Sequence, residues 1–123
     1  MPQMLRTTSR LPMETIGLER YAGLDGQGAP SYDSPVDFEA NVLEYDSAQF
    51  SRGAQYVILP DGSRVATPLT LYVRGTETDV PSEADRVTLS DDRAFIVMER
   101  VPVSGLRRAR TAPDHYRLRC KKE

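Results

Sequence analysis

The chain has 123 residues, the size of a single domain, and its nine prolines and eight glycines favour strands and turns over long helices. No apolar run approaches the roughly 20 residues that a membrane span needs, and the first residues lack the apolar stretch of a secretory signal. The single cysteine excludes an internal disulfide. We therefore expect an intracellular protein without membrane contact.

Charge is distributed unevenly along the chain. The first 99 residues hold 8 Lys or Arg against 16 Asp or Glu, a net charge of −8, whereas residues 100–123 hold 8 against 2, a net charge of +6. This polarity suits self-association through opposite charges. It equally suits a basic edge that faces a polyanion.

Alternating apolar and polar residues predict a first strand over residues 15–23, in which Ile16 and Leu18 share one face. Residues 1–14 show no periodicity and include two prolines. We therefore predict an extended N-terminal arm over residues 1–14 and one β-domain over residues 15–123.

The segment 36–46 alternates as well. Facing the core we expect Phe38, Ala40 and Val42, and facing outward Asp37, Glu39 and Asn41. Helical spacing is also present, at Phe38, Val42 and Tyr45. A helix is therefore the alternative, but we predict a strand.

Residues 55–75 resemble a hairpin. The short apolar strand QYVIL is followed by a turn at Asp61 and Gly62, and the predicted return strand runs through Leu69, Leu71 and Val73. Pro68 cannot donate to a strand ladder, so it marks an edge or a bulge.

Residues 85–103 carry the strongest strand signal. A tight turn at Ser90, Asp91 and Asp92 separates a short strand from the apolar run AFIVM, which is typical of a central strand. A final strand spans residues 115–121. About six short strands separated by turns and long loops predict a mainly β protein, a small antiparallel β-barrel or sandwich.

The final strand has an apolar face and a basic face. Tyr116, Leu118 and Cys120 fall on one side, and Arg117, Arg119 and Lys121 fall on the other. The preceding loop adds Arg107, Arg108 and Arg110.

Three interpretations of these basic residues are open: a solvated strand face, a subunit contact and a nucleic-acid surface. Single-strand binding would pair such charges with aromatic stacking, yet the one aromatic residue here alternates inward.

Residues suited to catalysis or metal binding are few. His115 is the only histidine and stands beside Asp114, so a His–Asp pair can be drawn, but an exposed strand end is the simpler interpretation. Cys120 lies in an apolar row, as a small core residue does. One His and one Cys cannot make a structural zinc site, and the acidic loops do not follow calcium-loop spacing. We therefore expect no enzyme activity, no cofactor and no metal.

The order of these segments is familiar. "TIGLERYAGLDGQGAPSYDSPVDFEANV" is a strand, a loop with Asp-Gly, and a second strand, and "ADRVTLSDDRAFIVMERVPVSGLRRARTAPDHYRLRC" is a strand, a tight turn, a long apolar strand and a closing strand. Together they resemble the head-closure, or stopper, proteins of long-tailed bacteriophages, over about residues 15–121. Such proteins often have Asp-Gly in the late turn, where this chain has Asp91-Asp92, which leaves the turn type open.

The resemblance implies a small β-barrel that assembles as a homo-oligomeric ring in the neck of the virion, after synthesis in the host cytoplasm. Such a ring binds an adaptor or portal-side connector above and a tail terminator or tail tube protein below. It seals packaged double-stranded DNA in the channel. The implied role is head completion and DNA retention rather than catalysis.

The same resemblance implies two kinds of site. A channel or plug loop falls at residues 47–54, with Gln49, Phe50, Ser51, Arg52 and Gly53. The basic final strand and basic loop would supply subunit or ring contacts, through Arg107, Arg108, Arg110, Arg117, Arg119 and Lys121. Two alternatives are a tail-terminator type connector and a small nucleic-acid-binding β-barrel.

Overall fold

A computed structural model describes residues 13–44, 55–104 and 114–123, and all regular secondary structure in these ranges is β. Six strands form the main sheet: β1 (Met13–Glu19), β4 (Val36–Glu44), β7 (Leu69–Arg74), β8 (Arg86–Thr88), β9 (Ala94–Val103) and β10 (His115–Lys122). The other four strands form two hairpins: β2 (Tyr21–Leu24) with β3 (Pro30–Tyr32), and β5 (Tyr56–Ile58) with β6 (Arg64–Ala66).

The six strands of the main sheet close into an antiparallel barrel in the order β1-β4-β7-β10-β9-β8. Closure occurs because β1 pairs with β4 on one side and with β8 on the other. The predicted small antiparallel β-barrel is therefore confirmed. β1 begins at Met13, two residues before the strand predicted from the sequence, and the other residues of the predicted arm lie outside the described part.

The barrel interior is filled by the apolar residues of the alternating pattern. The buried core contains Ile16, Leu18, Phe38, Ala40, Val42, Leu69, Leu71, Val73, Val87, Leu89, Phe95, Val97, Leu118 and Cys120. These residues come from all six barrel strands and from the turn that follows β8. Period-two alternation puts them on one face, and closure of the sheet removes that face from water.

The segment 36–44 is a strand, as predicted, and the helical alternative is wrong. Its inward residues are those expected, and Asp37 and Glu39 are exposed. Asn41 differs from the prediction because it is buried although it lies on the outward side. It stands beside Tyr72 of β7 in the sheet.

The hairpin predicted over residues 55–75 is only partly correct. Its turn lies where expected, and Gly62 has a φ of +88° that glycine adopts without strain. The return strand, however, is β6, and β5 and β6 form a sheet of their own. The strand predicted as the return, β7, pairs instead with β4 and β10. Pro68 lies in the gap between β6 and β7, where no ladder donor is needed.

The strand registers define two ends of the barrel. At the first, the Glu44 end, β1 begins, β4 ends, β7 begins and β10 ends; at the second, the Arg74 end, the opposite termini meet. The turn between β8 and β9 lies at the Glu44 end, where the backbone N–H of Ser90 donates to Glu14 at 2.8 Å. The β2–β3 hairpin and the loop 75–85 follow strands that finish at the Arg74 end.

Candidate interaction surface

The basic face of β10 lies on the outside of the barrel wall. Leu118 and Cys120 point into the core, so Arg117, Arg119 and Lys121 point outward, as the alternation predicts. We call these three residues the basic row. Because β10 pairs with β7 on one side and β9 on the other, the row runs along the middle of a continuous wall and not along an edge.

Neighbouring strands frame the basic row with apolar groups and a single carboxylate. Arg117 stands between Tyr72 of β7 and Val101 of β9. Arg119 stands between Thr70 and Glu99. Arginine stems among aromatic and aliphatic side chains are typical of protein–protein contact surfaces, in which Arg and Tyr are enriched.

The basic row is incompletely paired within the described part of the chain. Nη1 of Arg119 lies 3.6 Å from Oε1 of Glu99, an ion pair too long for a hydrogen bond. Nε of Arg117, Nε of Arg119 and Oε1 of Glu99 are shielded from solvent and have no hydrogen-bond partner among the residues that the structure describes. A shielded N–H without an acceptor costs free energy, and an incoming carboxylate or phosphate would lower that cost.

His115 stands at the Arg74 end of the same face. Its ring packs edge-on against Tyr72, with the ring centroids 5.9 Å apart, and Arg74 lies directly across on β7. The backbone of Asp114 belongs to the sheet margin, because its N–H donates to Val103 and its carbonyl accepts from Gly75, both at 2.9 Å. These contacts make His115 a packed strand start that extends the basic face.

Cys120 is a core residue, as its position in an apolar row predicts. Its side chain is fully buried, and this burial raises the pKa of the thiol to about 12. The thiol is therefore protonated at neutral pH, and a protonated, buried thiol is a poor nucleophile.

Asp85, in the acidic loop before β8, is buried and not solvated. It is 4% exposed, and its carboxylate accepts hydrogen bonds from the backbone N–H groups of Tyr21 and Ser82, both at 2.8 Å. Nη1 of Arg20 donates to it at 3.2 Å. The carboxylate thereby fixes the loop before β8 against the start of the β2–β3 hairpin. The residue type alone does not reveal whether a carboxylate is buried, so this role could not be predicted from the sequence.

The β2–β3 hairpin is held to the barrel by a second arginine. Nε of Arg86 donates to Glu19 at 2.6 Å and Nη1 donates to Glu123 at 2.9 Å. The same guanidinium lies 4.4 Å from the centroid of the Tyr32 ring. This cluster neutralises Arg86, which therefore adds no free positive charge to the outer surface.

The predicted plug-loop residues Gln49, Phe50, Ser51, Arg52 and Gly53, and the loop arginines Arg107, Arg108 and Arg110, lie outside the described residues. The chain enters the first loop after β4 finishes at the Glu44 end. It enters the second after β9 finishes at the Arg74 end. These two sets of residues stay predictions, and the strands that precede them finish at opposite ends of the barrel.

Among the residues described, no three His, Cys, Asp or Glu side chains come together as a metal site. The same part of the chain contains no helix with the length and apolarity to cross a membrane. No known protein-family profile matches the sequence, and no curated protein is significantly similar to it.

Proposed function

We propose that this protein is a head-closure connector of a long-tailed bacteriophage or a related tail-like particle. In this role it forms a homo-oligomeric ring in the virion neck, catalyses no reaction, seals packaged DNA and provides the docking surface for the tail. The proposal is supported by the order of segments over residues 15–121 and by the closed six-stranded barrel, which is the fold that the resemblance implies.

The observation that carries the proposal is the basic row on the middle of a barrel wall. Its guanidinium groups lack full partners among the residues in ranges 13–44, 55–104 and 114–123, and the rest of the protein is acidic. An acidic body repels phosphate, whereas it attracts the basic face of a neighbouring copy. A repeated contact between copies involves the acidic body as well as the basic row, whereas binding to nucleic acid involves the basic row alone.

The plug-loop part of the proposal concerns residues 47–54. In a ring, Arg52 of every copy would present positive charge to DNA in the channel, and Gly53 would act as a hinge. Deleting residues 49–53 should release DNA from filled heads while leaving the ring assembled. Full DNA retention by particles that carry this deletion would contradict the plug role and leave the connector role standing.

Cryo-electron microscopy of intact particles, reconstructed at the neck, tests the proposed function directly. A ring of this chain between the adaptor and the tail is the expected result. Finding the chain at the head-proximal end of the tail tube would favour the tail-terminator alternative. Its absence from the neck, together with salt-sensitive binding of the isolated monomer to bare DNA, would favour a nucleic-acid-binding barrel.

A further inference from the structure

A second part of the barrel wall, on β4, is acidic. In the six-stranded order, β7 alone separates β4 from β10 on one side, and β1, β8 and β9 separate them on the other. On the outer face of β4, Asp37 and Glu39 are both exposed. We call these two residues the acidic strip.

On the β1 side, the residues that face the acidic strip are small and uncharged. Asp37 stands directly across from Gly17, and Glu39 stands across from Thr15. Beyond Gly17, the next strand presents Thr88. Small residues beside two exposed carboxylates leave room for long side chains from another molecule to lie along the wall and reach the acids.

The acidic strip and the basic row also match in spacing. Asp37 and Glu39 are two residues apart on one strand, and Arg117 and Arg119 are two residues apart on another. Both pairs are therefore separated by about 6.6 Å along their strands. Two carboxylates and two guanidinium groups at equal spacing can form two ion pairs at once, which fixes register as well as affinity.

We propose that the basic row of one copy binds the acidic strip of a second copy, Arg117 and Arg119 pairing with Asp37 and Glu39. The inference rests on the proposed ring-forming function and names the contact that builds the ring. Because the two patches differ and lie on different strands, β4 and β10, the contact is heterologous, and in the proposed ring it repeats from copy to copy. The apolar framing of the row by Tyr72 and Val101 is typical of contacts with another protein surface rather than with a polyanion.

The test is a pair of charge-reversed full-length chains. The first carries Arg117→Glu and Arg119→Glu, so that its row and its strip are both acidic. The second carries Asp37→Lys and Glu39→Lys, so that both are basic. Light scattering after size-exclusion chromatography should show that each variant alone dissociates under conditions where the unmodified chain is oligomeric. We expect the apparent Kd of each variant to rise at least about 100-fold, because like charges face each other.

Mixing the two variants in equal amounts is the decisive step. The acidic row of the first then meets the basic strip of the second, and the reverse contact is also complementary. Oligomers of the original size should return, with the two chains in equal proportion by native mass spectrometry. Failure of the mixture to assemble would overturn the proposed contact. So would assembly by either variant alone, or a monomeric unmodified chain throughout the concentration range.

Controls distinguish loss of the proposed contact from misfolding and from failure of the proposed function. Circular dichroism of each variant checks the fold, and the neutral Arg117→Gln, Arg119→Gln chain provides a milder disruption with the same expected direction. Arg64→Glu, on the exposed β5–β6 hairpin, reverses charge away from both patches and should leave oligomer size unchanged. In the neck reconstruction, a ring in which the row faces another surface would refute this contact and keep the connector function. Absence of the chain would refute the function.

Discussion

Arg93 and Glu44 form two parallel hydrogen bonds, from Nη1 to Oε1 and from Nη2 to Oε2, each 2.7 Å long. This forked ion pair ties the turn between β8 and β9 to the last residue of β4. β4 is not a neighbour of β8 or β9 in the barrel, so this ion pair links strands across the opening at the Glu44 end.

Replacing Glu44 by glutamine should lower the free energy of unfolding at pH 7 by about 0.5–1 kcal/mol, a modest value because both side chains are nearly half exposed. The hydrogen bond from Arg93 lowers the pKa of Glu44 below its ordinary value of 4.5. Its stabilisation is therefore present above about pH 4.5 and is lost as pH falls through the lowered pKa.

Urea unfolding of both chains at pH 7 and pH 3 measures this effect. The difference between them should shrink at the lower pH. Glu83→Gln, which removes an exposed loop carboxylate, is the matched control and should change stability little. An equal loss in both variants would show that the Arg93 fork contributes nothing.

Asp85 should be among the most sensitive polar positions in the described part of the chain. Asp85→Asn removes the charge beside Arg20 and places an amide N–H₂ near backbone donors, so we expect a loss of about 2–4 kcal/mol in the free energy of unfolding. Asp79→Asn is the control, because Asp79 is 40% exposed and lies 3.9 Å from Arg20. Equal urea midpoints for the two variants would contradict the anchoring role of Asp85.

The thiol of Cys120 should be unreactive in the folded protein. A disulfide reagent at pH 8 should label it only after unfolding, because the folded pKa is about 12 and the side chain is buried. Since the folded pKa is raised, its stabilisation is complete below the unfolded value near 9.0 and is lost as pH rises toward 12. Cys120→Ala should lack this alkaline decline, and rapid labelling of the native chain would disprove the buried placement.

The turn between β8 and β9 contains a strained position. Asp92 has a φ of +72°, in the left-handed region that glycine adopts most easily, so this turn has the backbone that Asp-Gly would give. Asp92→Gly should raise the free energy of unfolding by about 0.5–1 kcal/mol, and the thermal midpoint should rise with it. Gly62→Ala at φ +88° should have the opposite sign. A destabilising Asp92→Gly would mean that the aspartate side chain outweighs its backbone strain.

The buried face of several barrel strands could be predicted from the alternation of apolar and polar residues. Every inward residue predicted for β1, β4 and β10 is at least partly buried, because period-two patterning assigns faces without reference to neighbours. The basic row was found in the same way, since Leu118 and Cys120 fix the parity of the residues between them.

Which strands pair with each other could not be predicted from the sequence. The sequence suggested that β5 should pair with Leu69–Arg74, but that strand is buried along most of its length and finds longer partners in β4 and β10. Such pairings join segments far apart in the chain, and local pattern carries no information about them. The acidic strip was missed for this reason. Its position relative to the basic row depends on strand order, although both of its carboxylates were correctly predicted to face outward.

The position of β10 between β7 and β9 also constrains how the chain acquires its structure during synthesis. The wall cannot become continuous until His115–Lys122 has left the ribosome, because this strand is made after both of its neighbours. Until then β7 and β9 each present an unpaired edge, which is a template for wrong association. Insertion of β10 covers both edges at once, so a nascent chain presents the basic row only when its barrel is complete.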